Sequence, residues 1–347
     1  MFNAGIKGYS GARGILGALR ARAPHAGLVE QLLSTSDAGS CASQLRSLDL
    51  LRELTPGPSP ADLEKNLRTG CIIFTRKITN FVGGPAKRFI DAYTLRYAFH
   101  NLKVLFRDAL TRRTDFPDNL YPRTALYVDS RRRAALDTPE KVIAHAVGTP
   151  LEKPANLAYD VYQNASNDLF LFELALDREY ALLLWQAAKR VNLSQGRRLK
   201  KLVRPYLALN AVVWGLWLKI NRSMSPEEIM NLLPVPSDII GPGAYLDILR
   251  SGKTQDIADA VGVAAPGLSL GDVSAPADVT AWHRLARRLT WNSLAAKKLT
   301  VIFDISTLMI AIMRWEFVVD DLITVTAAKS LGLAREEIAQ MLATVVA

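Results

Sequence analysis

The sequence predicts an all-α protein of three similar lobes, and three observations carry that expectation. First, sliding the chain along itself by 109 residues puts Tyr97, Tyr206 and Trp315 in frame, together with Leu67, Leu176 and Leu285, and Leu120, Ile229 and Ile338. Pairs of lobes share more: Glu64 with Glu173, Asn101 with Asn210, Pro117 with Pro226, Arg96 with Arg314, and Glu227-Glu228-Ile229 with Glu336-Glu337-Ile338. Second, apolar residues recur near the helical period, as in Leu63, Leu67 and Phe74, in Phe172, Leu176 and Leu183, and in Leu285, Leu289 and Leu294, while alternating strand patterns are scarce. Third, Ser59-Pro60 before Asp62, Thr138-Pro139-Glu140 and Ser225-Pro226-Glu227-Glu228 each place an N-cap residue, a proline and first-turn acids where a helix begins.

A repeat of this length is a domain copy, not a solenoid turn of about 20 to 50 residues. The 347 residues therefore divide into lobes at 1–124, 125–236 and 237–347. The breaks follow Pro122, Pro234-Val235-Pro236 and Gly241-Pro242-Gly243, which interrupt helices.

From the N-terminus, Lys7, Arg13, Arg20 and Arg22 precede the first acid, Glu30, a composition similar to an organellar transit peptide. Ala18, Leu19, Leu28, Leu32 and Leu33 run on into a helical pattern, so a helix is the expectation. Each lobe then contains a first long helix (about 61–80, 167–190 and 279–298) and a second (about 87–113, 197–222 and 306–331). Such pairs pack as antiparallel hairpins. A shorter helix is expected at the shared Pro or Glu position after each second helix. The stretch Gly262–Asp278, rich in Gly, Pro, Ala and Ser, is expected to be a surface loop.

With 49% hydrophobic residues the chain is globular and not disordered. Cys41 and Cys71 have no CxxC spacing and are expected to be reduced core residues in a cytosolic chain. The longest uncharged apolar stretch, Pro205 to Leu218, falls short of the about 20 residues that cross a bilayer and reads as a buried helix. A net charge of +10 favours an anionic partner: nucleic acid, a membrane surface or an acidic protein. Basic residues gather at Arg131-Arg132-Arg133, at Arg197-Arg198 with Lys200, Lys201 and Arg204, and at Arg284, Arg287, Arg288, Lys297 and Lys298. Solvated helix faces explain them equally well. Nucleic-acid binding is the weaker reading, because the aromatic residues follow the core register and no known module is present.

Bond-making chemistry finds no support in the residues. Ser251-Gly252-Lys253-Thr254 looks like the tail of a phosphate-binding loop, but Asp247 stands where its first glycine is required, after a helical Tyr245–Arg250. The pair Asp320-Asp321 could hold magnesium, yet Thr324 and Val325 supply no third acid at the helical spacing; capping, a partner contact or solvent exposure explains it better. His25, His100, His145 and His283 share no helical zinc spacing. No GxSxG, Cys-His pairing or GxGxxG after a strand occurs, and the Asn-x-Ser triplets at Asn164, Asn192 and Asn221 are mute in a cytosolic chain. No catalytic, cofactor-binding or metal-binding residue is expected.

Several motifs together carry a resemblance. Phe89-Ile90-Asp91, Tyr97 and His100-Asn101-Leu102-Lys103 resemble a helix of the C-subunit family of V-type and A-type ATPases, whose eukaryotic member is the d-subunit. Leu171-Phe172-Glu173 through Asp177-Arg178-Glu179-Tyr180 is similar to the family's second-lobe helix. Trp315-Glu316-Phe317, Asp320-Asp321-Leu322, Lys329, Gly332-Leu333 and Glu336-Glu337-Ile338 resemble its closing element, and Tyr9-Ser10-Gly11-Ala12-Arg13-Gly14 its opening one. The chain departs from the family where Ala98 and Leu207 replace an acid, where Asp320 stands for an asparagine, and where Arg123-Thr124 replaces a glycine.

The resemblance implies three helical bundles arranged as a funnel about a pseudo-threefold axis. It also implies a non-catalytic rotor adapter on the cytoplasmic face of a membrane, joining the central shaft subunits to the proteolipid ring during ATP-driven or ATP-forming ion transport. A basic helical scaffold for nucleic acid or an acidic protein is the alternative, and a helix-bundle enzyme comes third. The best candidates for ring contact are the elements after each second helix: Asp118-Asn119, Glu227-Glu228 and Glu336-Glu337. The same acids could equally serve as helix-capping charges worth about 0.3–1 kcal/mol each.

Overall fold

Two serines open helices where the sequence marks them. Ser59 and Ser225 each accept from the third backbone N–H of their helix, at 3.1 and 3.3 Å, and Asp62 and Glu228 reach back to the serine N–H at 3.0 and 2.7 Å. These reciprocal bonds satisfy N–H groups that a helix start leaves without partners. Thr138 caps its helix in the same way through Lys141 N, at 3.4 Å.

The computed structural model describes residues 25–46, 59–111, 119–191, 193–233, 235–251, 279–296 and 304–344. Among these residues the chain forms helices α1 (Ala26–Leu33), α2 (Ala38–Leu45), α3 (Pro60–Thr79), α4 (Gly84–Thr111), α5 (Ser130–Ala135), α6 (Pro139–His145) and α7 (Glu152–Asn164). It continues with α8 (Leu169–Lys189), α9 (Leu193–Arg222), α10 (Pro226–Leu232), α11 (Pro242–Arg250), α12 (Val279–Ala295), α13 (Ile305–Ser330) and α14 (Arg335–Met341), and the described residues contain no strand. The all-α expectation holds, and all six long helices occur where predicted. The opening Tyr9–Gly14 motif and the expected loop Gly262–Asp278 lie outside the described residues, while the short helix expected to begin at Pro117 is not found: residues 119–129 are non-helical, and Leu120 is buried on a turn held by Asn101.

The chain separates into two compact units, residues 1–23 with 37–187, and residues 24–36 with 188–347. In the first unit α3 and α4 form the expected hairpin, and α6 packs on α4 with α7 behind it. Its core includes Phe106 stacked on Phe172 at 3.7 Å between ring centroids, with Tyr162 edge-on to Phe106 at 5.1 Å. Cys41 and Cys71 are buried free thiols, as expected of core residues.

In the second unit α12 and α13 form a hairpin and both pack on α9, while α1 lies against α13 and α14. Arg314, early in α13, donates through Nε to the carbonyl of Leu294 at the end of α12, and Arg287 meets Asp321 further along, so the two helices run antiparallel. The uncharged stretch from Pro205 lies inside α9. Gly215 in that stretch has a packing reason: a Cβ there would stand 2.6 Å from Tyr245 Oη and 2.7 Å from Leu249 on α11. The two arms of the expected middle hairpin, α8 and α9, fall almost wholly in different units.

The framed residues behave alike in their most telling set. Leu120, Ile229 and Ile338 are all buried, at 2%, 0% and 0% exposure. Leu67 and Leu176, and Tyr97 and Trp315, are likewise buried, whereas Leu285 and Tyr206 are half-buried. Two further expectations need correction. Asp321 is fully buried, so solvent exposure does not explain it. Arg133 turns inward to an ion pair with Asp108 at 2.5 Å, so the run Arg131–Arg133 is not a uniform basic surface.

Candidate interaction surface

The residues that carry the family resemblance are used to brace helices. Lys103 Nζ on α4 meets Asp177 Oδ1 on α8 at 2.6 Å, and Arg107, one turn on, holds Glu173 with two donors, Nη2 to Oε2 at 2.7 Å. Tyr180 completes the seam by donating to the Tyr93 carbonyl at 3.1 Å. Burial pushes the Asp177 carboxyl above its ordinary value, and the Lys103 ammonium opposes that rise.

Polar side chains on the long helices clamp the segments that follow them. Asn101 donates to the Tyr121 carbonyl at 2.9 Å and to Thr124 Oγ1 at 2.8 Å, and accepts from Tyr121 N at 2.8 Å, so its amide is used on both sides. Asp321 does the corresponding work in the second unit, accepting from Ala343 N at 2.9 Å and Thr344 N at 2.7 Å while Arg287 donates to it at 3.1 Å. Asp320, the residue singled out beside it, stays partly exposed, 3.7 Å from Arg287. At the end of α9 the clamp is Lys219, which donates to the carbonyls of Leu249 and Ser251 at 2.6 and 3.0 Å. The framed Asn210 makes no such bond among the described residues.

Arg123, which stands where the family has glycine, adopts φ 62°, the left-handed conformation a glycine takes without cost. Gly332 at φ 74° closes α13 with a paired C-terminal motif, Leu333 N bonding Ala328 O and Gly332 N bonding Lys329 O, each at 3.1 Å.

Beyond these clamps lies the surface that the sequence nominated. Arg198 near the start of α9 pairs at 3.0 Å with Asp304, the N-cap of α13, so the two helices start side by side and their final turns lie away from that point. The final turn of α9 exposes Ile220 at 58%, and the residue that follows α13, Leu331, is exposed at 77%. Each is followed within a few residues by a short acidic helix, α10 or α14, whose one buried residue is Ile229 or Ile338.

The nominated acids divide by role. Glu228 caps α10, and Glu337 accepts from Ala334 N at 2.9 Å, so both are helix-capping groups. Glu227 pairs with exposed Arg250 at 2.6 Å. The serine hydrogen bonds hold Glu228 below the usual carboxylate range, and the Arg250 bond does the same for Glu227. Glu336 is exposed and has no partner among the described residues. In the first unit Asn119 accepts from Arg133 at 3.0 Å, and Asp118 lies outside the described residues.

Much of the basic charge is committed to the fold. Arg204 donates to the Ile239 carbonyl, Arg288 to those of Leu342 and Gln340, and Arg287 to Asp321. Arg197 and Lys201 remain exposed near the start of α9, and Lys297 and Lys298 lie outside the described residues. His100 Nε2 sits 3.3 Å from the Asn119 carbonyl with its ring against Tyr121, and burial holds its imidazolium below the usual range. No group of three or more His, Cys, Asp or Glu in the described residues could hold a metal ion, and no described helix is long and apolar enough to cross a membrane.

The family model for the ATP synthase (C/AC39) subunit matches residues 14–341. No curated protein matches the chain.

Proposed function

The chain belongs to the ATP synthase (C/AC39) subunit family, and from that premise we propose that it is a non-catalytic rotor adapter, coupling the central shaft of a V/A-type ATPase to the membrane proteolipid ring. The observation that carries this reading is how the motif residues are used. Asn101, Lys103, Glu173, Asp177, Tyr180 and Asp321 are all engaged in tying one helix or returning segment to another. A part that transmits torque needs stiffness and two specific interfaces, and no reacting group. Ion pairs and clamps between long helices supply the stiffness.

In this reading residues 1–124, 125–236 and 237–347 are three lobes about a pseudo-threefold axis, and the protein is peripheral on the cytoplasmic face. A ring of identical subunits is met best by equivalent elements of a repeated fold. The exposed Ile220 and Leu331, each beside a short acidic helix, are such elements. Isolated large apolar side chains are ordinary on a surface; here each stands at the end of a second long helix, two positions apart in the 109-residue frame.

Detergent-solubilised membranes from cells carrying a tagged copy test the reading. Shaft and proteolipid subunits should co-purify with the chain. Recovery of RNA or DNA instead, with affinity falling steeply as salt rises, would replace it with the basic-scaffold alternative. Within the adapter reading, Leu331→Asp should weaken ring association and leave the melting temperature unchanged, because Leu331 contributes little to the core.

A further inference from the structure

The tip of the α3–α4 hairpin holds a cavity of about 540 Å³ that neither the clamps nor the acidic helix ends use. Its walls include Arg76 and Lys77 from the end of α3, Lys87 and Asp91 from the start of α4, Asn80 from the turn between them, and Arg123 from the loop beyond α4. The volume falls among those of small-molecule sites, about 300–1,000 Å³. Four cations face one carboxylate, and Lys87 already neutralises that carboxylate at 2.8 Å. Among the described residues the Lys77 ammonium and the Arg123 guanidinium have no partner.

Backbone geometry at Arg123 adds an independent observation. At φ 62° an arginine occupies a region that L-residues avoid and glycine accepts. The conformation is held from both sides: Arg76 Nη2 donates to the Arg123 carbonyl, and Asn101 donates to the neighbouring Thr124 hydroxyl at 2.8 Å. Strain that the surroundings keep in place points to a use for the side chain. Here it sets a guanidinium on a wall of the cavity. Phe81, 41% exposed, lies in the same turn as Asn80.

We propose that this cavity binds a phosphate-bearing anion, with Arg123 and Lys77 as its direct ligands and Arg76 and Asn80 beside them. A carboxylate would match one of the unpaired cations and leave the other facing it. A phosphate group presents several oxygens, to which a planar guanidinium donates in pairs and an ammonium adds a point charge. Such a group comes from a soluble polyphosphate or from a phospholipid headgroup. Phe81 at this tip suits the second source, since aromatic side chains settle at the headgroup level of a bilayer. This site does not depend on the adapter reading.

The test uses the full chain with two probes: pyrophosphate followed by titration calorimetry, and flotation with phosphatidylcholine vesicles that contain or lack phosphatidylinositol phosphate. Saturable binding is expected in at least one arm. Pyrophosphate binding identifies a soluble ligand; flotation that requires the phosphoinositide, without pyrophosphate binding, identifies a headgroup. Arg123→Gly should weaken binding roughly tenfold or more, the loss of a charge-assisted hydrogen bond, while the melting temperature holds or rises because glycine takes this φ freely. Lys77→Gln should weaken binding in the same direction, and Lys201→Gln, at a separate basic site, should not. Binding in neither arm overturns the proposal, and so does binding that Arg123→Gly and Lys77→Gln leave unchanged or that Lys201→Gln weakens equally.

Discussion

The two units fasten a returning segment to a long helix by different chemistry. In the first, a neutral amide, Asn101, both donates and accepts along the Tyr121–Thr124 turn. In the second, a fully buried carboxylate, Asp321, only accepts, gathering two backbone N–H groups and the Arg287 guanidinium. The amide matches the carbonyl and N–H it meets without carrying charge. The carboxylate must be compensated, and Arg287 is committed to it for that reason. A similar mechanical task is thus met once by complementarity and once by charge, and the second solution is the more exposed to perturbation.

Removing each clamp measures that difference. Asp321→Ala should have the largest effect, about 3–5 kcal/mol, because it leaves two buried N–H groups without their acceptor and takes from Arg287 the nearer of its two carboxylates. Hydrogen exchange should show lost protection in residues 335–344 and unchanged protection in 119–126. Asn101→Ala should cost less, about 1–3 kcal/mol, because the Tyr121 carbonyl keeps the Thr124 hydroxyl as a donor and the Tyr121 N–H is the group that loses its acceptor, and its loss of protection should fall on 119–126 instead. If both variants lower stability equally, the distinction between charged and neutral clamps does not hold.

A smaller effect separates the two by pH. Burial holds the Asp321 carboxyl above its ordinary value of 3.8, against the Thr344 and Arg287 bonds that act to lower it. The folded state therefore binds this proton more tightly than the unfolded chain. The group's contribution to stability is complete below the ordinary value and declines as pH rises through the folded one. The melting-temperature gap between the wild type and Asp321→Asn should narrow as pH rises above the ordinary carboxyl value of 3.8. The gap for Asn101→Ala should stay constant, since an amide does not titrate. A gap for Asp321→Asn that widens with pH would contradict the assignment.

How much of this was legible in the sequence depended on the range of the interaction. Helix starts at Ser59 and Ser225 and the stop at Gly332 are local, and the spacing of serine, proline, acid and glycine shows them directly. Helix α7 was not foreseen, because Leu151 at its N-cap supplies no side-chain acceptor and gives no signal. Lys103 and Asp177 stood out as motif residues, but no local pattern shows that two side chains 74 positions apart form one ion pair. Asp321 reads as half of an acidic pair with capping, a partner contact or solvent exposure as its explanation, and only the return of the chain at Ala343 and Thr344 gives it its task. Arg133 is hidden in the same way, since three adjacent arginines look alike until Asp108 draws one of them inward.

For the candidate surface, the framed residues located the short acidic helices, and helix-end exposure then distinguished Ile220, Leu331 and Glu336 from acids that only cap. The cationic cavity was not visible, because Arg123 joins the hairpin tip through the fold and not through spacing.

The central claim is that this chain couples shaft to ring. Its most direct test is to deplete membranes of the chain, add the purified protein back, and follow ATP-driven ion uptake alongside ATP hydrolysis. The account predicts that depletion abolishes uptake and that add-back restores it in step with rebinding of the shaft subunits to the membrane. Uptake that is unchanged by depletion, or shaft subunits that stay on the membrane without the chain, would contradict it.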